Sequence, residues 1–258
     1  KIKADGGNPH RETLHFIRTF DGNKYFKDED GSCFRAYRFV DNSKAYDTVD
    51  SAEVFGKSGK AFGRFQKYLS DFPAESLSEI IKNFHNTIWR YENEFIPAVQ
   101  ADKADRAVNC GEEIKFVMHR REDCKKLVEL IEKGELPLRV THNDTKLNNV
   151  LFDSDSDDAI CVIDLDTVMP GLALYDFGDS IRFGANSCAE DDDNYDKVEL
   201  MLDYFEAYAK GFLSEAGDAL NQCEIDNLAF SAKLMTFECG MRFLTDYLNG
   251  DTYFKTAY

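Results

Sequence analysis

The chain contains no apolar run approaching the ~20 residues that a helix needs to cross a bilayer, and no membrane association is expected of it. Its first residues, Lys1-Ile2-Lys3-Ala4-Asp5-Gly6-Gly7, lack the apolar core of a secretion signal. Positive charge is scarce: 31 Lys and Arg stand against 48 Asp and Glu, a formal net charge of -17. A surface of that sign repels a phosphate backbone, so nucleic acid is excluded as a partner; it could draw in a cation, although solubility alone explains it. The seven cysteines (33, 110, 124, 161, 188, 223 and 239) are odd in number, scattered, and form no C-x-x-C. That excludes a disulfide framework and a cysteine-rich zinc site and predicts reduced thiols in a cytoplasmic setting. No internal repeat or low-complexity linker is present, and no feature fixes an oligomeric state.

What is present is enough for one large domain or two lobes. The chain has 258 residues, 43% of them hydrophobic and 31% charged, within the range of globular proteins. Residues 11–41 read as strands. Glu12 to Thr19, Lys24 to Lys27 and Cys33 to Val40 are aromatic-rich and separated by the turns Asp21-Gly22-Asn23 and Asp30-Gly31, a pattern that predicts an antiparallel meander. From about residue 47 helical spacing takes over. Asp50-Ser51-Ala52-Glu53 offers an N-cap, and Phe55, Phe62, Gln66 and Leu69 then share a face with Gly56, Gly59 and Gly63, which predicts close helix packing. Ser76-Leu77-Ser78-Glu79 reads as a capping box before Ile80, Ile81, Phe84, Ile88 and Trp89. Ile114, Val117, Met118, Leu127, Leu130 and Ile131 mark a further helical stretch closed by Pro137, and two long ones follow at roughly 194–216 and 223–249.

Between them lies the informative segment. His142-Asn143-Asp144-Thr145-Lys146-Leu147-Asn148-Asn149 has the spacing H-x-D-x-K-x-x-N, and Asp164 follows fifteen residues after Asn149 at the end of an apolar run. Asn149 to Phe152 and Ala159 to Ile163 flank a polar turn, a hairpin pattern. Folding it about its middle brings Asn149 opposite Ile163 or its neighbour and leaves Asn149 and Asp164 at the open end beside Asp144. This is the residue set of phosphoryl transfer: Asp144 to orient and deprotonate a hydroxyl, Asn149 and Asp164 to hold Mg2+ on ATP. The chemistry demands those types, because charge grows on oxygens that hard cations neutralise and magnesium takes oxygen ligands with few protein carboxylates. The predicted layout is an α+β, bilobal protein-kinase-like fold. A small antiparallel β lobe spans 1–41 and a larger, mainly helical lobe with the catalytic hairpin spans 42–258. The backbone of Arg38, Phe39 and Val40, leading to a hinge near Asp41, is the expected docking edge for adenine.

These residues resemble the aminoglycoside-phosphotransferase and choline-kinase branch of that fold. Within it, His142 to Lys146, Val162 to Pro170, Asp176-Phe177-Gly178-Asp179 and Arg242 to Leu248 are similar to strings of its sugar-kinase subgroup, the N-acetylhexosamine 1-kinases. The resemblance runs from about residue 6 to the end. It implies a transferase of ATP γ-phosphate to the anomeric hydroxyl of a small-molecule sugar. Asp144 is then base and sugar ligand, Thr145 lines the sugar site, Arg242 contacts sugar, and Asn149 and Asp164 hold Mg2+. Family members carry a nucleotide loop and a phosphate lysine on strands that precede this region. No glycine-rich phosphate loop occurs here, Gly6-Gly7 is too little, and Lys24 and Lys27 lie on the wrong strands, so the resemblance implies a chain shortened at both ends.

Other readings compete. Asp176-Phe177-Gly178 imitates a protein-kinase metal motif, but the hairpin already ends at Asp164, so Asp176 is expected to cap a helix or brace the loop. Asp153-Ser154-Asp155-Ser156-Asp157 imitates a calcium loop, yet the sixth position is Asp158 and the twelfth Asp164, with strand flanks; a solvated turn is expected. Asp191-Asp192-Asp193-Asn194 reads as a polar loop. His142 is expected to pack the loop. Lys146 steadies the γ-phosphate or is a surface lysine; Asp166 braces the loop or sits beside the metal; Arg242 binds sugar or makes a buried salt bridge. A kinase of another small alcohol, or a pseudokinase binding module, are the alternative functions.

Overall fold

In the computed structural model, residues 1–188, 192 and 194–254 are described. The elements, in order, are α1 (Pro9–Glu12), β1 (Phe16–Ile17), β2 (Phe26–Lys27), β3 (Cys33–Phe34), β4 (Ala36–Tyr37), β5 (Ser43–Lys44), α2 (Ala52–Leu69), α3 (Thr87–Arg90), α4 (Ile96–Ala101), α5 (Gly111–Met118), α6 (Arg121–Glu132), β6 (Arg139–Thr141), β7 (Val150–Asp153), β8 (Ala159–Val162), β9 (Met169–Gly171), α7 (Ala173–Gly184), α8 (Leu202–Ala216), α9 (Gln222–Asp226) and α10 (Leu228–Asn249).

The small β region is antiparallel, as its sequence predicts, but nested rather than a meander. Phe16 lies opposite Tyr37 in the outer pair β1–β4, and Phe26 opposite Phe34 in the inner pair β2–β3. Gly22 and Gly31 take the left-handed backbone expected of turns, at φ 81° and 88°. The first turn closes only on itself, Gly22 N to Thr19 O, so β1 does not reach β2 and waits for β4. Residues 9–12 are not strand: Asn8 accepts from His10 N and Pro9 presets the first helical turn.

The helical region is built around one close helix pair. Ser51 caps α2 by accepting from Val54 N, and Phe55, Phe62 and Gln66 are buried beneath it. Gly56, Gly59 and Gly63 lie against α8. A Cβ on Gly59 would stand 2.5 Å from Tyr208 O, one on Gly63 2.3 Å from Phe212 O, and one on Gly211 2.0 Å from Gly56 O. Only glycine permits that approach. Phe55, Phe62, Phe177, Tyr208 and Phe212 fill the resulting core.

Several sequence expectations are corrected. No helix starts at Ser76. Its hydroxyl donates to Pro73 O, Glu79 accepts instead from Asn83 N, and Ile80 is 59% exposed, so that stretch has no face to bury. The helix begins at Thr87, capped by Asn86, and passes through a π-helical turn over Tyr91–Phe95 into α4. The stretch from Ile114 to Ile131 is two helices, broken at His119 and Arg120. The next helix starts at Leu202 rather than near 194, and Asn227 divides the last into α9 and α10. Helix α7, over Ala173–Gly184, carries Asp176-Phe177-Gly178-Asp179. Asp191 and Asp193 lie outside the described residues; Asp192 accepts from Asn194 N. Among the described residues no helix is long and apolar enough to cross a membrane.

Candidate active site

Strand β6 pairs with β9, Thr141 opposite Met169, and delivers the chain into the loop that starts at His142. The loop is held from below by one buried carboxylate. Asp176 accepts from His142 N (2.9 Å), Asn143 N (2.8 Å) and Gln66 Nε2 (2.9 Å). Burial pushes this carboxyl above its usual range, against the opposing pull of His142 and these hydrogen bonds. Asp176 is thus a brace inside α7. His142 is structural as well: its Nε2 bonds Ile163 O at 2.8 Å, Nδ1 accepts from Asp144 N, and Phe62 and Phe65 present ring edges to it. Asn143 sits at φ 64°, a conformation asparagine tolerates, and its amide donates to Thr167 O.

The loop ends at Asp144, whose side chain is 31% exposed and so reachable from solvent. Asn149 Nδ2 donates to Asp144 O at 2.8 Å and Oδ2 at 3.0 Å, and Lys146 Nζ stands 3.3 Å from Oδ1. The hairpin register places Val150 opposite Val162, and Ile163 N donates to Asn149 O. Asn149 therefore shares the open end with Asp164. Asp164 is exposed at φ 57°, and its carboxylate has no hydrogen-bond partner among the described residues. With Nδ2 committed to Asp144, the Asn149 Oδ1 is left for another ligand. Two open, hard oxygen donors at one end suit magnesium, which keeps several waters. Among the described residues no group of three His, Cys, Asp or Glu could hold a metal. The acidic turn is spoken for: Asp153 pairs with Arg11 and Asp157 with Lys44 and Tyr46.

Thr145, expected to line the sugar site, lies buried with its hydroxyl and N–H bonded to α7. It is 2% exposed, its hydroxyl donates to Asp176 O at 2.8 Å and its N–H to Asp179. Burial raises the Asp179 carboxyl, but Arg182 and these bonds more than offset it, leaving the group below its usual range. At the joint, Arg38 N donates to His15 O, Phe39 is 76% exposed, and Val40 is buried with its carbonyl taken by Ser43 Oγ. Arg38 and Phe39 are both exposed there, and Phe39 presents an open aromatic face.

Arg242 lies on α10. Its guanidinium is 5.4 Å from the Phe84 ring, 5.9 Å from Tyr253 and 5.5 Å from Phe254, and no carboxylate pairs with it among the described residues. Among the described residues it makes no buried salt bridge. Asp246, one turn on, builds this nest by accepting from Thr252 N, Tyr253 N and Phe254 N. The family model for the phosphotransferase enzyme family matches residues 16–211.

The chain belongs to the phosphotransferase enzyme family. Solved structures of similar fold include a microcompartment-associated aminopropanol kinase (16% identity, TM-score 0.51, 96% of this chain and 84% of that one). They also include amicoumacin kinase in complex with AMP-PNP and Ca2+ (12%, 0.56, 94% and 67%) and a Plasmodium vivax ethanolamine kinase (16%, 0.53, 95% and 65%). The fold is the α+β, bilobal kinase-like one.

In this phosphotransferase a further open space lies elsewhere. An apolar groove of about 1100 Å3 runs between α5, α7 and α10, lined by Phe116, Phe205, Phe237 and Met241. The groove touches none of Asp144, Asn149 and Asp164. Sequence reasoning missed Asp246 and Glu238, because a buried carboxylate inside an apolar helix announces no partner until the chain folds. It also missed Arg35, which stacks on Phe16 and Tyr37 and pairs with Asp166. Asp166 thus tethers the β region to the turn that follows Asp164.

Proposed function

We propose that this phosphotransferase transfers the γ-phosphate of ATP, with Mg2+, to the anomeric hydroxyl of an N-acetylhexosamine. The observation that carries the reading is the convergence of Asp144, Asn149 and Asp164 at one end of the hairpin. Asp144 orients the acceptor hydroxyl and takes its proton as the phosphoryl group arrives. Asn149 fixes the Asp144 carboxylate and, with Asp164, supplies the metal ligands. Bound magnesium neutralises charge on the transferring phosphate. Lys146 holds Asp144 from the other side and is placed to meet negative charge developing at the acceptor oxygen. Residues 1–41 form the nucleotide-side lobe and 42–258 the catalytic lobe, with adenine seated at the joint against Phe39. Arg242, in its aromatic nest, holds a sugar oxygen.

The supporting charge argument concerns the acceptor. An ammonium group needs an open carboxylate besides Asp144 and Asp164, which the reaction uses, whereas Glu238, Asp179 and Asp246 are already bonded to donors. Arg242, half-buried in its aromatic nest, carries a positive charge with no carboxylate partner among the described residues. A neutral, hydroxyl-bearing acceptor fits that environment. The second reading, a kinase of an amino alcohol, draws on the aminopropanol and ethanolamine kinases of similar fold. An acceptor panel with ATP and Mg2+ decides. N-acetylglucosamine and N-acetylgalactosamine are expected to be phosphorylated at least tenfold faster than ethanolamine, choline or an aminoglycoside; the reverse ranking installs the second reading.

A further inference from the structure

Beside Arg242 lies a set of polar groups that the proposed chemistry does not use. Glu238, one turn before Arg242 on α10, is 1% exposed. It accepts from His85 Nδ1 at 2.8 Å and Thr87 Oγ1 at 2.5 Å, with Arg90 Nε at 4.0 Å. Burial acts to raise this carboxyl, but His85, Thr87 and Arg90 prevail and hold it ionised, below its usual range. An ionised Glu238 fixes the imidazole with its proton on Nδ1. Its other nitrogen, Nε2, is enclosed and has no partner.

The His85 ring leans on Tyr175 at 5.1 Å and on Phe84 at 4.3 Å, and Phe84 in turn lies under Arg242. Tyr175 is 7% exposed, yet its hydroxyl makes no hydrogen bond among the described residues. Burial raises this phenol, so it keeps its proton and remains a donor. Buried tyrosines normally find a partner for that group. Tyr175 also sits beside Asp176, the brace of the loop that ends in Asp144. The enclosed His85 Nε2 and the Tyr175 hydroxyl, which is not among the enclosed polar atoms, thus belong to two touching rings that connect through Phe84 to Arg242 and, through Asp176 next in α7, to the catalytic loop.

We propose that the Tyr175 hydroxyl is a specificity-determining contact to a non-reacting oxygen of an uncharged acceptor, and that His85, fixed by Glu238, is the positioning residue for the Tyr175 ring. The inference rests on the acceptor site proposed above and adds two residues to it. Glu238 and Asp246, the carboxylates beside Arg242 on α10, are both already bonded, so the acceptor group it takes is a hydroxyl or an amide oxygen rather than an ammonium.

Tyr175→Phe removes one oxygen and nothing else, so the fold survives. With the full chain, ATP and Mg2+, acceptor KM is measured for N-acetylglucosamine, N-acetylgalactosamine, ethanolamine and kanamycin, and for deoxy forms of the sugar preferred by the unaltered protein. Tyr175→Phe should raise the KM of the preferred acceptor about five- to tenfold, the worth of one neutral hydrogen bond, and leave ATP KM unmoved. One deoxy analogue should lose its disadvantage in the variant, because the site no longer bonds the missing oxygen. His85→Leu should raise acceptor KM likewise, and His85→Gln, which retains a donor for Glu238, should restore most of it. Unchanged acceptor KM in Tyr175→Phe overturns the contact, and a lower melting temperature without an acceptor KM change in His85→Leu overturns the positioning role. If ethanolamine or kanamycin is preferred, the uncharged-acceptor class and the proposed sugar substrate fall together, while the KM ratio for that acceptor still decides the contact.

Discussion

Asn149 points its amide at Asp144, donating both to the backbone carbonyl and to the carboxylate of the same residue. One side chain thereby closes the loop on itself and turns its own oxygen outward toward the end of the hairpin. The proposed base and the proposed metal ligand are thus mechanically one unit, and disturbing either disturbs both.

Replacing Asp144 by Asn keeps the shape and removes the base. We expect kcat to fall by at least ~10²-fold, the usual worth of a positioned base, with nucleotide affinity near normal. Single-turnover rates and nucleotide titration separate the two effects. Near-normal turnover would exclude Asp144 as base.

Asp164→Ala should weaken Mg2+-dependent nucleotide binding, while Asp155→Ala should not. Asp155 lies in the turn at the far end of the hairpin, bonded to Asn42. Calorimetry of the nucleotide with and without Mg2+ reads the difference. Abolished activity in Asp155→Ala would mean the site lies at the other end of the hairpin.

A methyl glycoside of the preferred hexosamine should not be phosphorylated, since its anomeric oxygen can no longer attack. Arg242→Ala should raise sugar KM more than nucleotide KM. Phosphate transfer to the methyl glycoside at the rate of the free sugar would place the chemistry at another hydroxyl.

Gly63→Ala should destabilise the protein severely. The new methyl meets Phe212 O at 2.3 Å, and overpacking costs typically ~1–3 kcal/mol or more. At ~2–4 °C per kcal/mol for a chain of this size, melting should drop by several degrees. Gly217→Ala, where nothing lies within 4 Å, is the control.

Stability should fall in acid. Asp179, Glu238 and Asp246 all have carboxyls held below their usual range in the fold, burial notwithstanding. Such groups stabilise fully above the unfolded values of about 4 and lose that contribution as pH drops through the lower folded ones. Denaturant midpoints between pH 6 and pH 3 should therefore decline, and Asp246→Asn should flatten part of the decline. An equal slope in the variant would remove Asp246 from the account.

The reach of the sequence can be judged residue by residue. The hairpin and its register were legible because apolar alternation on both sides of an acidic turn leaves one way to fold, and Ile163 indeed meets Asn149. The α2 glycines were legible as small residues on one face. The false helix start at Ser76 shows the limit: a capping box is local, but whether Ile80 and Ile81 have anything to pack against is not. Thr145 shows the same limit in the site. Its neighbours in sequence face the cleft, and only the position of α7 reveals that its hydroxyl turns inward. Tyr175, His85 and Glu238 lie on three separate segments, and no spacing rule links them.

Asp164 occupies the left-handed region of backbone space, at φ 57°. Asparagine, aspartate and glycine are the residues that reside there at little cost. The backbone alone therefore narrows what this position can accept, before any chemistry is asked of it. A descendant that no longer needed the carboxylate would be free to drift only toward Asn or Gly without bending its turn. Asparagine or glycine at this position, with the hairpin otherwise intact, is the mark to look for in a copy of this gene that has kept its shape and given up its reaction.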